Sequence, residues 1–323
     1  MITTTMQTAP RRSSAGTSQV GPVLLAVKPT GTLGAPLAVA SWLAAREERE
    51  LRIVSVLEPA PVVVSDIAGL PPLSRECLEA ERAAVAHDLT HELRARGAIH
   101  DHAHLEVLDG AALDPIVECA RQCEARVIVV GSGRHEAMGR FVHGERALQI
   151  LGIADRPVLV VPPSGIAMSI SVAIVATDFT LASVRAARAM LPMLSHGGRL
   201  IVVHVKTGLT RNEETAAWWN DAYERRCADR LAQFVRQLPT APGITVETKF
   251  LRGGDAARTI VEYAALQNAN LIACGRLDHP LLQRVFVGSV SSAIVRRATC
   301  PVLVAPEHSG DADGGWAEHT RRG

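Results

Sequence analysis

The residues with chemistry to offer gather in the second half of the chain. A strand-like run at 171–178, SVAIVATD, ends in Thr177-Asp178, and another at 270–274, NLIAC, runs into Gly275-Arg276. Two residues separate Gly275 from Asp278, and nine further residues separate Asp278 from Gly288-Ser289-Val290-Ser291. Glycine lets backbone pass close to a ligand. Free N–H groups and the dipole at a helix start favour phosphate, and Ser289 and Ser291 add hydroxyl donors. The same residues also suit a plain loop with a glycine turn and a serine helix cap.

Other groupings offer less. His100, His102 and His104 alternate, and His87 and His91 are four apart on the preceding helix. Such pairs can hold zinc. However, alternate positions along one strand stand about 6.6 Å apart, too wide for three ligands to share one ion. A solvated edge strand that uses polar side chains to block sheet addition accounts for them more simply. Cys119 and Cys123, four apart on a helix, admit a redox role, but also a reading as two small packing residues. There is no GxxxxGK[ST] phosphate loop and no zinc-protease motif, and Gly131-Ser132-Gly133 does not make GxSxG. No nucleophile and base pair up, so the expectation is a binding protein, not an enzyme.

The elements that must position these residues come in two copies. IVECARQCEARVIVVG at 116–131 returns as IVEYAALQNANLIACG at 260–275, an offset of 144 residues. The register holds downstream: Gly131 and Gly275, Arg140 and Arg284, Gly144 and Gly288, then PVLV at 157 and again at 301. A period of that length is a whole domain duplicated, not a solenoid unit. The first copy spans 21–164 and the second 168–307, with the join punctuated by Pro and Gly near 162–170.

Within each copy strands and helices alternate. The first predicts strands at 23–28, 51–57, 102–108, 126–130 and 157–161, with helices at 36–48, 74–97, 114–124 and 144–154. HAHLEVL at 102–108 alternates, which marks an edge strand. The second predicts strands at 171–178, 199–205, 244–251, 270–274 and 301–305. Its helices fall at 181–195, 255–268 and 288–298, plus a long one with Trp219, Tyr223, Cys227, Leu231, Phe234 and Leu238 on one stripe. That stripe is the most aromatic segment of the chain, a packing face or the cover of a pocket. Continuous β-branched runs between helices indicate parallel sheets covered on both faces. The fold class is therefore α/β, two doubly wound five-stranded parallel sheets in tandem, and ligands bind such sheets beyond the carboxyl ends of the first and fourth strands.

In this order the segments resemble the universal stress protein family, as a tandem pair covering about residues 21–307. The family's ATP-binding members carry Gly, two residues, Gly, nine residues, then Gly with Ser or Thr. The second copy keeps that spacing with Asp278 in place of the middle glycine. VATDFTLAS at 175–183 resembles the opening strand and turn, His204-Val205 the end of the second strand, and ATCPVLVAP at 298–306 the closing strand. The resemblance implies ATP or a related adenine nucleotide in the second domain only. Thr177, Asp178 and Val205 would stand at the adenine pocket, and Gly275, Arg276, Gly288, Ser289, Val290 and Ser291 at ribose and phosphates. Asp278 opposes phosphate, while Arg276 and Arg284 in the same loop offset it. The first copy departs further: Lys28 stands where Asp178 would, Arg134 replaces the middle glycine, and Glu145 replaces the Ser or Thr. The resemblance also implies a stress-response role, a pseudo-dimer made through the closing strands PVLVV and PVLVA, and pairing of whole chains as a homodimer. Beside the nucleotide-responsive reading stands a nucleotide-independent interaction protein with both sites degenerate.

Composition excludes several classes. The 323 residues are 47% hydrophobic but only 3% aromatic, so the cores are built of Ala, Val, Leu and Ile. Lys and Arg number 34 against 33 Asp and Glu, a net charge of +1, without the basic excess of a nucleic-acid binder. No apolar run approaches the ~18–20 residues that span a bilayer. Residues 1–20 and 308–323 are polar tails expected to be disordered. Six scattered cysteines without a secretory leader suggest free thiols in the cytoplasm.

Overall fold

The computed structural model describes residues 21–29, 33–57, 75–96, 103–110, 113–132, 145–163, 169–207, 213–277 and 289–307. Both tails, His100, His102, Arg134, Gly144, Asp278, Arg284 and Gly288 lie outside them.

The first repeat runs β1 (Val23–Val27), α1 (Gly34–Arg46), β2 (Leu51–Leu57), α2 (Arg75–Ala95), β3 (Ala103–Asp109), α3 (Asp114–Gln122), β4 (Val127–Gly131), α4 (Glu145–Ile153) and β5 (Val158–Val161). The second runs β6 (Ile170–Ala176), α5 (Leu181–Met190), a 3-10 turn (Leu191–Met193), β7 (Leu194–Lys206), α6 (Glu213–Arg236), β8 (Thr245–Arg252), α7 (Ala256–Leu266), β9 (Leu271–Arg276), α8 (Ser289–Arg297) and β10 (Val302–Pro306). Among the described residues no helix is long and apolar enough to cross a membrane.

The strands form one sheet of order β3-β2-β1-β4-β5-β10-β9-β6-β7-β8. All neighbours are parallel except β5 and β10, which run antiparallel with Val160 opposite Val302 and Val158 opposite Val304. The two five-stranded sheets expected from the sequence are thus halves of a single ten-stranded sheet. The closing strands join them, the contact that the family resemblance implied. β3 and β8 take the two edges.

An antiparallel seam relates the halves by an approximate two-fold axis normal to the sheet, so equivalent helices share a face. One apolar layer combines α1, α2, α5 and α6 residues, among them Leu43, Leu93, Met190 and Phe234. The other combines α3, α4, α7 and α8, with Ile116, Leu151, Ile260 and Ile294. Central strands such as β4 are buried on both faces, which explains their unbroken β-branched runs. Arginines of the first repeat reach backbone carbonyls of the second. Arg46 Nε donates to Pro192 O at 3.0 Å, and Arg126 Nη2 donates to Ala189 O at 2.6 Å. Arg126 meets the carboxyl end of α5, where the helix dipole is negative, and Arg46 meets the 3-10 turn that follows it.

Candidate functional site

In the second repeat β6 lies between β9 and β7, with Ala176 level with Cys274 on one side and Val203 on the other. Two residues further on, Asp178, Arg276 and Val205 therefore stand at one level beyond the carboxyl ends. After β6 the chain enters α5 on one face of the sheet, and α8, which follows β9, packs on the opposite face. The winding reverses between these strands, which opens the crevice where open α/β sheets bind ligands.

The turn leaving β6 is fixed by its own polar side chains. Ser183 Oγ donates to Thr180 O at 2.8 Å, so its hydrogen is used and Thr177 Oγ1 donates to Ser183 Oγ at 2.8 Å. Thr177 Oγ1 also accepts from Phe179 N at 2.8 Å. This knot holds Phe179 at a φ of 67°, left-handed backbone that few bulky residues adopt. Asp178 Oδ1 accepts from Thr180 N at 3.2 Å and from Thr180 Oγ1 at 2.5 Å. Its carboxylate is thus oriented while remaining exposed. It also faces β9: burial first, and then the Asp178 charge, push the Cys274 thiol up to about 12.

Of the residues expected around phosphate, two serve packing instead. A Cβ on Gly275 would stand 2.6 Å from Ser183 N and 2.7 Å from the Ala182 carbonyl carbon, so this glycine admits the start of α5 onto β9. Arg276 is a correction. Its guanidinium is buried, and Nη2 donates to Ala154 O of the first repeat at 3.1 Å. Strand alternation turns it towards the face that carries α4 and the seam, where that bond holds it. Val205 is half-buried and packs on that same apolar layer. Thr177 is buried, with its hydroxyl engaged in the turn. Ser289 and Val290 are exposed in the first turn of α8, whereas Ser291 is buried. That turn carries no acidic residue, so its positive dipole end is not offset by its own side chains.

Beside Asp178, on the α6 face, opens a cavity of about 610 Å3 lined by Phe179, His204, Tyr223, Arg226 and Arg230 among others. The Phe179 and His204 rings lie 4.5 Å apart, and the Arg230 guanidinium sits 4.3 Å over Phe179. A carbonyl only accepts, so the 2.8 Å contact to Thr177 O makes His204 Nδ1 the donor. In the neutral ring Nε2 then accepts from Tyr223 OH at 3.1 Å. Burial, then Cys227, hold the Tyr223 hydroxyl above its ordinary value, which keeps it a donor. The Lys206 ammonium lies 5.0 Å over the Tyr223 ring. Aromatic faces ringed by guanidinium groups suit a planar, anionic ligand, and the volume lies within the roughly 300–1,000 Å3 of small-molecule sites. Sequence reasoning placed Tyr223 and Cys227 on one stripe but did not assign Phe179, His204, Arg226 or Arg230 to a site. The available signal was the aromatic character of α6.

The first repeat has a different equivalent. Ala26 is level with Val130, which puts Lys28 where Asp178 stands in the second repeat. A Cβ on Gly131 would meet Pro36 Cγ at 3.1 Å, a looser version of the Gly275 contact. His104 lies on edge strand β3, and among the described residues no three His, Cys, Asp or Glu side chains gather as a metal site.

A family model described as the universal stress protein family matches residues 20–162 and 171–306. A universal stress protein of Methanocaldococcus jannaschii is 36% identical over 70 residues, 22% of this chain and 41% of that protein. One of Thermus aquaticus is 29% identical over 110 residues, 34% of this chain and 79% of its own length. The chain thus spans less than half the length of the first of these relatives. A solved universal stress protein from Archaeoglobus fulgidus DSM 4304 superposes with a TM-score of 0.53 at 16% identity, covering 88% of this chain and 98% of its own. At that identity the likeness speaks to fold alone.

Proposed function

This chain belongs to the universal stress protein family, and we propose that its second repeat binds ATP or a related adenine nucleotide. Binding, without turnover, is its biochemical act, and it serves a regulatory role in the stress response. The observation that carries this reading is Asp178: an exposed, pre-oriented carboxylate at the winding reversal, in the lining of the aromatic cavity. A carboxylate accepts from an exocyclic amine, the cavity beside it is lined by aromatic and guanidinium groups, and the amides opening α8 suit phosphate oxygens. The donor set therefore fits an adenine nucleotide. Because Gly275 and Arg276 are engaged in packing, the phosphates depend on Ser289 to Ser291. Lys28 makes the first repeat's equivalent unsuited to an amine. Free thiols at all six cysteines suit action in a reducing cytoplasm.

A second reading, a nucleotide-independent interaction module, draws support from those same packing roles of Gly275 and Arg276. Thermal unfolding with and without ATP separates the two. A ligand at a hundredfold excess over its Kd stabilises by about 2.7 kcal/mol, so the first reading expects a rise in Tm at millimolar ATP. No rise with ATP, ADP or AMP leaves the second.

A further inference from the structure

The closing strands saturate one another at the β5–β10 seam, which leaves the ten-stranded sheet with two edges, β3 and β8. Among the described residues no strand covers the outer side of either. β8 reads TVETKFLR, with Thr245, Val246, Thr248, Lys249 and Arg252 exposed along it. Val246 is a large apolar residue left 39% exposed. The neighbouring strand fixes the backbone direction: Gly253 N donates to Lys206 O at 3.1 Å. In a parallel pair, successive residues turn their N–H and C=O groups to alternate sides. The odd-numbered residues of β8 thus bond to β7, and Val246, Thr248, Phe250 and Arg252 turn their backbone groups outward.

We propose that β8 is a docking edge for a second copy of this chain, paired antiparallel about a two-fold axis at Thr248. Thr248 then lies opposite the second copy's Thr248, and Val246 opposite its Phe250, so that outward backbone groups meet one another. Val246 and Phe250 are level with Leu200 and His204 on β7. They share the α6 face, where the Phe250 and His204 ring centroids lie 6.2 Å apart. On the other face Glu247 lies opposite the second copy's Lys249, and Lys249 opposite its Glu247. Cβ atoms of residues so opposed stand about 4.5–5.5 Å apart, within reach of an ion pair.

Charge selects this register. An edge lysine ordinarily discourages strand addition. An axis at Glu247 sets that carboxylate opposite itself, and an axis at Lys249 does the same to the ammonium. The axis at Thr248 gives both charges an opposite partner over the full strand. Arg199 on β7 orients Glu247 from the inner side, Nη1 to Oε1 at 3.2 Å. The edge of the first repeat lacks this property, because the full-length antiparallel register of β3 (Ala103–Asp109) places Glu106 opposite Glu106. An isologous contact made through β8 alone closes as a dimer and does not extend into a fibre.

The test is sedimentation velocity on the full-length protein across the micromolar range, with Glu247→Lys and Lys249→Glu measured singly and as an equimolar mixture. The wild type is expected to pass, as concentration rises, from the 34.5 kDa of one chain to twice that mass. Each single substitution sets like charges opposite at two places and is expected to weaken self-association at least about tenfold. The mixture restores Lys opposite Glu at both places and is expected to dimerise about as strongly as the wild type. Both variants must be folded to do so, which separates lost charge matching from lost fold. A wild type that stays monomeric throughout, single variants that dimerise as the wild type does, or a mixture no stronger than its components overturns the proposal.

Discussion

Gly275 lies directly beneath the amide of Ser183: a Cβ on the glycine would come 2.6 Å from that nitrogen. The obstacle is helix backbone, which cannot rotate aside as a side chain can. Gly275 thereby sets how closely α5 approaches β9, and with it the position of the Thr177–Ser183 turn that carries Asp178.

Gly275→Ala is therefore expected to destabilise the protein by about 1–3 kcal/mol, the range for overpacking a tight interior. Gly131→Ala meets only Pro36 Cγ at 3.1 Å and is expected to cost less. Urea unfolding of the two variants side by side checks the order. Equal midpoints would mean that α5 moves away freely.

Arg126 ties the repeats together. Its guanidinium donates to Ala189 O at 2.6 Å and pairs with the buried Glu47 carboxylate at 3.2 Å. Burial draws the guanidinium below its usual value while Glu47 opposes that effect. Arg126→Met keeps the bulk but removes both contacts. Hydrogen bonds to charged groups are worth about 1.5–3 kcal/mol, and each kcal/mol shifts Tm by about 2–4 °C in a domain of 150–250 residues. Calorimetry should record a fall of several degrees. An unchanged Tm would assign the inter-repeat stability to the β5–β10 seam and the other contacts between repeats, those of Arg46 and Arg276 among them.

Asp255 makes a pH-dependent contribution. As the N-cap of α7 its carboxylate accepts from Arg258 N at 3.1 Å and pairs with Arg297 at 2.6 Å. The Arg297 bond, then the Arg258 amide, hold it below the ordinary 3.8. Unfolding thus favours the protonated acid. The contribution is whole above the unfolded value and disappears as pH falls through the lower folded one. The Tm gap between the wild type and Asp255→Asn should stay level down to about pH 5 and close below about pH 4. A gap that persists in strong acid would locate the effect elsewhere.

Much of this fold was legible because its signals are local. The unbroken apolar run of β4 marks a strand buried on both faces, and the alternation in HAHLEVL marks β3 as an edge. The α5 boundary was less legible. A helix read over 181–195 ends at Met190, because Pro192 sits in a 3-10 turn and β7 already begins at Leu194. Asp178 was legible as the residue closing the first strand of its repeat. Arg276 was not, because its residue type suits a phosphate loop while its direction depends on strand alternation and on the distant β5–β10 seam. Phe179 and Arg230 come together from segments 51 positions apart in sequence, and a left-handed turn at a phenylalanine leaves no trace in composition.

The central claim, that Asp178 anchors an adenine nucleotide in the second repeat, is tested most directly by calorimetric titration of ATP into the full chain and into Asp178→Ala and Lys28→Ala. One site per chain is expected. Loss of a charged hydrogen-bond partner should weaken it at least about tenfold in Asp178→Ala, and Lys28→Ala should leave it unchanged. No saturable heat from the wild type at millimolar ATP, or equal affinity in Asp178→Ala, would contradict the account.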